Sequence, residues 1–285
     1  MALLVIVSAL ISGHSLAKET NASAPAAIKP VSPADLNAFM EKWKPYEPFK
    51  YPDDPKEEPL LLAALQKDPG DPWVTYLNLK FSFDKLEARR LSLIERTQKF
   101  RDALNYLEAA RNILLQAAKT RPDDKKLMNA LQEIEQAIAQ ASLETGGDPV
   151  KIKGTTQALL EGNTQVNVWE NARVVYDANV TLGRIAIREG KIDEAKKYLL
   201  AAAKTRGATQ LNTFDPDFIL ARELLERGEK DVVLEFLDLV ERFWAKVEAQ
   251  RPGDAKRVAD KKLKKLEAWR EQVRNGKIPD DPEWK

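Results

Sequence analysis

Small residues recur at fixed intervals in LGRIAIREGKIDEAKKYLLAAAKT, residues 182–205, and this spacing constrains the fold more than any other feature of the chain. Glycine weakens a helix by about 1 kcal/mol relative to alanine, so Gly183, next to Leu182 in an apolar helical pattern, requires a compensating gain. Close approach of a second helix is such a gain, because it needs a point where a side chain is missing. Gly190 ends the first pattern at a position suited to the left-handed conformation. Ile192, Ala195, Leu199 and Ala202 then share one face of a second helix. The expectation is a tight helical hairpin with Gly183 at the contact.

The arrangement returns further along the chain. In LARELLERGEKDVVLEFLDLVERFW, Ala221 follows Gly183 at the same offset at which Gly228 follows Gly190. Val233 and Val240 stand where the first unit has alanines, so the second hairpin should be more widely spaced. The turn-rich stretch RGATQLNTFDPD connects the two.

The intervals within the first unit are seven from Gly183 to Gly190, five to Ala195, four to Leu199 and three to Ala202. This pattern resembles the tetratricopeptide repeat, a helix-turn-helix of about 34 residues. Ala186 departs from it, where the family usually carries an aromatic, as does Arg206-Gly207, where a proline usually closes the unit. Residues 171–244 also resemble a group of exported bacterial proteins, through LGRIAIREG, AKKYLLAAAKT, QLNTFDP, ELLERGE and FW. The resemblance implies an all-α chain whose antiparallel hairpins stack as a right-handed solenoid, and it implies no particular activity. In tetratricopeptide proteins the first helix of each unit lines a concave surface that takes extended peptides or partner helices. By position, Asp177, Thr181, Arg184, Arg188 and Arg222 would line it here. Arg184 and Arg188 are four apart and share a helical face, which suits carboxylate recognition; a merely solvated face is the competing reading.

Elsewhere the chain is organised around helices too. Ser32 and Pro33 form an N-cap and first position for a short helix within residues 32–70. That region also holds KPYEPFKYPDDPKEEP, whose prolines favour an extended path with Tyr46, Phe49 and Tyr51 as anchors. Residues 71–147 read as long helical hairpins opened by Asp71-Pro72, with a break near Phe83 to Glu87 and an end at Gly146-Gly147. Residues 148–166 read as a connector, residues 167–250 as the repeat units, and residues 251–275 as a solvating terminal helix with Leu263, Leu266, Trp269 and Val273, followed by a tail at 276–285. Val233, Phe236, Leu237, Val240, Phe243, Trp244 and Val247 make a 3.6-period stripe. No alternating run announces a strand.

Composition narrows the chemistry. There is no cysteine, and the one histidine, His14, lies in MALLVIVSALISGHSLA. The apolar run there, with small residues at Ser15 and Ala17, reads as a signal peptide over 1–17, followed by a flexible leader over 18–31, and predicts a periplasmic or secreted protein. The mature chain would then have no histidine, which removes Ser-His-Asp and Cys-His mechanisms and leaves no ordinary zinc site. Lys and Arg number 45 against 44 Asp and Glu, so no global field favours nucleic acid. No cofactor, no metal and no integral span of the mature chain are expected. The expected function is non-catalytic protein or peptide binding in the cell envelope. A carboxylate-dependent hydrolase of cell-wall glycans and a scaffold that self-associates through the Phe243-Trp244 end are the alternatives.

Overall fold

The computed structural model describes residues 30–43, 56–70, 72–163, 172–205, 217–250, 254–281 and 284. The signal-peptide reading, most of the leader, Asp71, Trp169 and residues 44–55 of the proline-rich segment therefore lie outside the described residues. Among those described there are eleven helices and no strand, in keeping with the all-α expectation. The chain forms two compact units, residues 1–155 and 156–285.

The first unit begins with α1 (Pro33–Lys42), where Ser32 Oγ accepts the Asp35 N–H at 3.1 Å as an N-cap. It continues through α2 (Glu58–Lys67), α3 (Trp73–Ala88), α4 (Leu93–Thr120) and α5 (Lys125–Glu144). The long helices α4 and α5 pair as a hairpin, α3 lies on both, and α2 joins α1 to α3 and α4. Leu61, Leu65, Leu77, Leu107, Leu114 and Ile134 are fully buried between them. Phe39, Trp43, Trp73 and Tyr76 form an aromatic group at one end, with Phe39 and Trp73 ring centres 5.9 Å apart and Trp43 edge-on to Tyr76 at 6.0 Å. Buried polar groups on α5 tie it to its neighbours: Glu135 pairs with Arg111 of α4, and Gln140 Oε1 accepts from Lys85 Nζ of α3 at 3.1 Å.

Two expectations for this region are corrected. The break between α3 and α4 falls at residues 89–92 instead of Phe83 to Glu87. Its cause is a capping box in SLIE: Ser92 Oγ accepts the Glu95 N–H, and the Glu95 carboxylate accepts the Ser92 N–H at 3.0 Å. Residues 149–163, read as connector, form α6 (Pro149–Asn163). Asp148 Oδ1 accepts the Val150 N–H at 2.9 Å and Pro149 takes the first position, so Asp-Pro starts this helix as Ser-Pro starts α1. Gly154 does not stop it, since a glycine in a helix interior costs only about 1 kcal/mol.

The second unit contains α7 (Ala172–Arg188), α8 (Ile192–Ala203), α9 (Ile219–Leu225), α10 (Lys230–Gln250) and α11 (Asp254–Arg274). Helices α7 and α8 form one hairpin, and α9 and α10 a second. Helix α9 packs on both α7 and α8, α10 packs on α8, and α11 packs along α10. Tyr176, Leu199, Leu220, Leu224, Phe236 and Leu266 are fully buried in its core. Of the stripe on α10, Val233, Phe236, Leu237 and Val240 are buried; the side chains of Phe243, Trp244 and Val247 lie outside the described residues. Helix α11 is more than a solvating cap. It buries Leu266, Trp269 and Val273, together with the guanidinium-bearing Arg270.

Candidate protein interaction site

The repeat positions converge in the second unit. Ala195, Leu199, Ala202 and Ala221 are fully buried, and Leu182 nearly so. A Cβ added to Gly183 would stand 3.2 Å from Tyr198 Cβ of α8 and 2.4 Å from Leu220 Cδ2 of α9. The glycine is thus a contact point with its own hairpin partner, as the spacing suggests, and still more tightly with the following hairpin, which the spacing alone does not reveal.

Gly190 and Gly228 both have positive φ, 74° and 83°. Each closes its helix with the same pair of bonds. Lys191 N–H donates to Ala186 C=O at 2.8 Å and Gly190 N–H to Ile187 C=O at 3.0 Å. At the offset that relates the two glycines, Glu229 N–H donates to Leu224 C=O at 3.1 Å and Gly228 N–H to Leu225 C=O at 3.0 Å. These are the two bonds of a Schellman closure, which also ends α11, where Lys277 N–H donates to Gln272 C=O and Gly276 N–H to Val273 C=O, both at 2.9 Å.

The five residues assigned to the concave surface fall into different environments. Thr181 is buried, and its hydroxyl donates to Asp177 C=O within α7 at 2.9 Å. Arg184 is also buried, with Nε 2.8 Å from Glu223 Oε1 of α9. An arginine held in this way links the two hairpins and is not presented to a ligand, so the assignment of Thr181 and Arg184 to an open binding face is corrected. Asp177 is half-buried and lies 3.5 Å from Arg173 Nε. Arg188, at the end of α7, is exposed, and Arg222 on α9 is accessible over about a third of its side chain, at 35%. These two are the surface members of the set. Lys196 of α8 adds a further cross-link, pairing with Glu229 at 2.6 Å.

Arg222 has a role that the sequence did not announce. Its Nε donates to Glu226 Oε1 at 2.8 Å, while Nη1 donates to the backbone carbonyl of Trp284 at 3.4 Å. Trp284 is only 1% exposed. Its ring stacks on Phe218 with 5.3 Å between centres and meets Trp269 edge-on at 5.8 Å. Phe218 and Trp269 approach each other at 5.0 Å, so the chain terminus completes an aromatic trio with residues before α9 and on α11. A tryptophan in a short tail rich in charge and proline was the available signal.

Two other polar centres have evident structural roles. In the first unit Asp84 accepts from the Tyr106 hydroxyl at 3.1 Å and pairs with Lys80 at 2.9 Å and Lys99 at 3.1 Å. Burial, reinforced by Asp84, holds the Tyr106 hydroxyl well above its ordinary range, so it serves as a neutral donor. In the second unit Arg270 lies 2.9 Å from Asp238 and 3.0 Å from Glu267 and also pairs with Glu241. Burial opposes its charge, but these carboxylates outweigh that and raise its pKa. No group of three or more metal-ligating side chains occurs among the described residues, and no helix among them is long and apolar enough to cross a membrane.

Comparison with protein-family models, with curated proteins and with solved structures gives no match.

Proposed function

We propose that this chain is a non-catalytic interaction protein of the cell envelope whose second unit, a tetratricopeptide-like stack of hairpins, holds a segment of a partner protein. The observation that carries this reading is the pair of like hairpins, closed by the same bonds at one common offset and placed side by side by the Gly183–Leu220 contact. Stacked hairpins of this kind present the first helix of each unit on one surface, and short carboxylate-bearing segments are the natural complement of accessible arginines. Arg188 and Arg222 are the residues proposed to meet the partner. Export, and a mature chain that starts after Ala17, belong to the same proposal and rest on the apolar leader sequence.

The test is affinity capture from an envelope extract with the wild-type chain and with a chain carrying Arg188→Ala and Arg222→Ala. Arg184 is left intact because its substitution would disturb the packing of α7 on α9. Loss of specific partners from the double variant, with a cooperative melting transition retained, is the expected result. Identical recovery by both chains would remove this surface from consideration.

A further inference from the structure

Apolar exposure is concentrated at one corner of the first unit. Five of the seven large apolar side chains exposed among the described residues, Phe83, Leu86, Leu91, Leu93 and Ile94, lie where α3 turns into α4. Leu93 and Ile94 are 79% and 83% accessible, and every residue from Arg90 to Glu95 is exposed. Clustered apolar exposure of this kind marks an interaction surface, where scattered single residues would not.

Charge at the corner is one-sided once its internal pairs are set aside. Residues 83–101 carry six cations and three carboxylates. Each carboxylate is held by the chain itself: Asp84 by Lys80 and Lys99, Glu87 by Lys99 at 2.7 Å, and Glu95 by the N–H and hydroxyl of Ser92. Arg90 and Arg101 are exposed and make no ion pair among the described residues. Arg101 is seven positions after Ile94, on the same face of α4 and about 10 Å further from the tip. The backbone of the turn is also suited to leaving water. The Arg90 and Leu91 N–H groups donate to the Glu87 and Ala88 carbonyls at 2.9 and 3.2 Å, and the capping box uses those of Ser92 and Glu95. Donors satisfied in this way lower the cost of an apolar medium.

We infer that this corner enters the surface of an anionic lipid bilayer, with Leu91, Leu93 and Ile94 at the acyl boundary and Arg90 and Arg101 among the headgroup phosphates. Interfacial segments sink about 5–10 Å into that boundary, which matches the separation of Ile94 from Arg101. Arginine suits the arrangement because its stem lies along apolar surface while the guanidinium reaches phosphate. A second copy of the chain fits less well. Five apolar side chains on an exposed turn fall far short of the roughly 20–30 residues that each partner gives to a stable protein interface, whereas lipid closes around a projection.

The chain has no cysteine, so a single introduced one can carry an environment-sensitive fluorophore. Leu93→Cys labels the corner, and Lys126→Cys labels an exposed site at the far end of the α4–α5 hairpin. Each labelled full-length chain is titrated with phosphatidylglycerol vesicles and with phosphatidylcholine vesicles. On the anionic vesicles the label at 93 should shift to the blue and become shielded from iodide, while the label at 126 does neither. A local probe separates the corner from the apolar run Ala2 to Ile11, which is itself lipophilic. The half-maximal shift should need about tenfold less anionic than neutral lipid, or better, for two arginines near a charged surface. Arg90→Gln combined with Arg101→Gln should erase that difference. All the substituted side chains are exposed, so the variants should keep the wild-type thermal transition. No shift at position 93, equal shifts at both positions, or an anionic preference that survives loss of both arginines overturns the proposal. So does a lipid-free dimer in light scattering that Leu93→Gln with Ile94→Gln makes monomeric, since it would assign the corner to a second copy. Arg188 and Arg222 are untouched throughout, so the result is independent of the partner surface proposed for the second unit.

Discussion

Gly183 and Leu220 lie so close that a single added carbon on the glycine would stand 2.4 Å from Leu220 Cδ2, inside any normal contact distance. A side chain at position 183 therefore requires the Leu220 side chain or the α9 helix that carries it to shift. Gly183→Ala should destabilise the chain by about 1–3 kcal/mol through overpacking, and Gly183→Leu by more. Chemical denaturation followed by helical circular dichroism measures it, and an unchanged midpoint for the alanine variant would mean that the contact is looser than described.

The Arg184–Glu223 pair supplies the polar side of the same junction, with side-chain exposures of 9% and 22%. Truncating Arg184 to alanine strands a carboxylate in a partly dry setting and should cost about 3 kcal/mol, the lower end for a buried pair. Arg184→Met combined with Glu223→Leu should recover most of that loss. A double-mutant cycle with no coupling between the two positions would contradict the assignment.

Gly154 of α6 has no atom within 4 Å of where a Cβ would be placed. Here the glycine carries only the entropic penalty, and Gly154→Ala should stabilise the chain by about 0.5–1 kcal/mol. A lower melting temperature in this variant would show that α6 is more crowded than its open glycine implies.

Ser92 is the cap that separates α3 from α4. Ser92→Ala should cost about 1 kcal/mol and release Glu95, whose carboxyl is held below its ordinary pKa by hydrogen bonds from the Ser92 side chain and backbone. A carboxyl-resolved NMR titration should show the Glu95 midpoint rising in the variant, and an unmoved midpoint would rule out the capping box.

Glu267 is held below its ordinary pKa by hydrogen bonds from Arg270 and then Arg274. A carboxyl depressed in the folded state contributes stability above its unfolded value, and that contribution disappears as pH falls through the folded one. The acid limb of the stability curve should accordingly begin below about pH 4, and Glu267→Gln should flatten it while leaving the neutral plateau slightly lower. The exposed position of Glu267 keeps the effect small. An acid limb identical in both chains would assign it to other carboxylates.

How much of this was legible beforehand depended on the range of the interaction. The Ser32 cap, the left-handed Gly190 and Gly228, and the alanine face of α8 are local, encoded within a few positions, and were readable as spacing. The Asp148-Pro149 and Ser92–Glu95 starts were equally local, but Gly154 and the continuous apolar pattern of the region obscured them. Long-range pairings were invisible. Nothing adjacent to Arg184 indicates Glu223, which lies in the following hairpin, so a buried linking arginine read as a surface one. Trp284 reaches Phe218 only because Gly276 turns the chain, and pattern reading ends where the helical period ends.

The two glycine turns have one more consequence. Because Gly190 and Gly228 close α7 and α9 with the same bond set at positive φ, a Cβ at either site meets the same backbone strain, and alanine at one should cost about as much stability as alanine at the other.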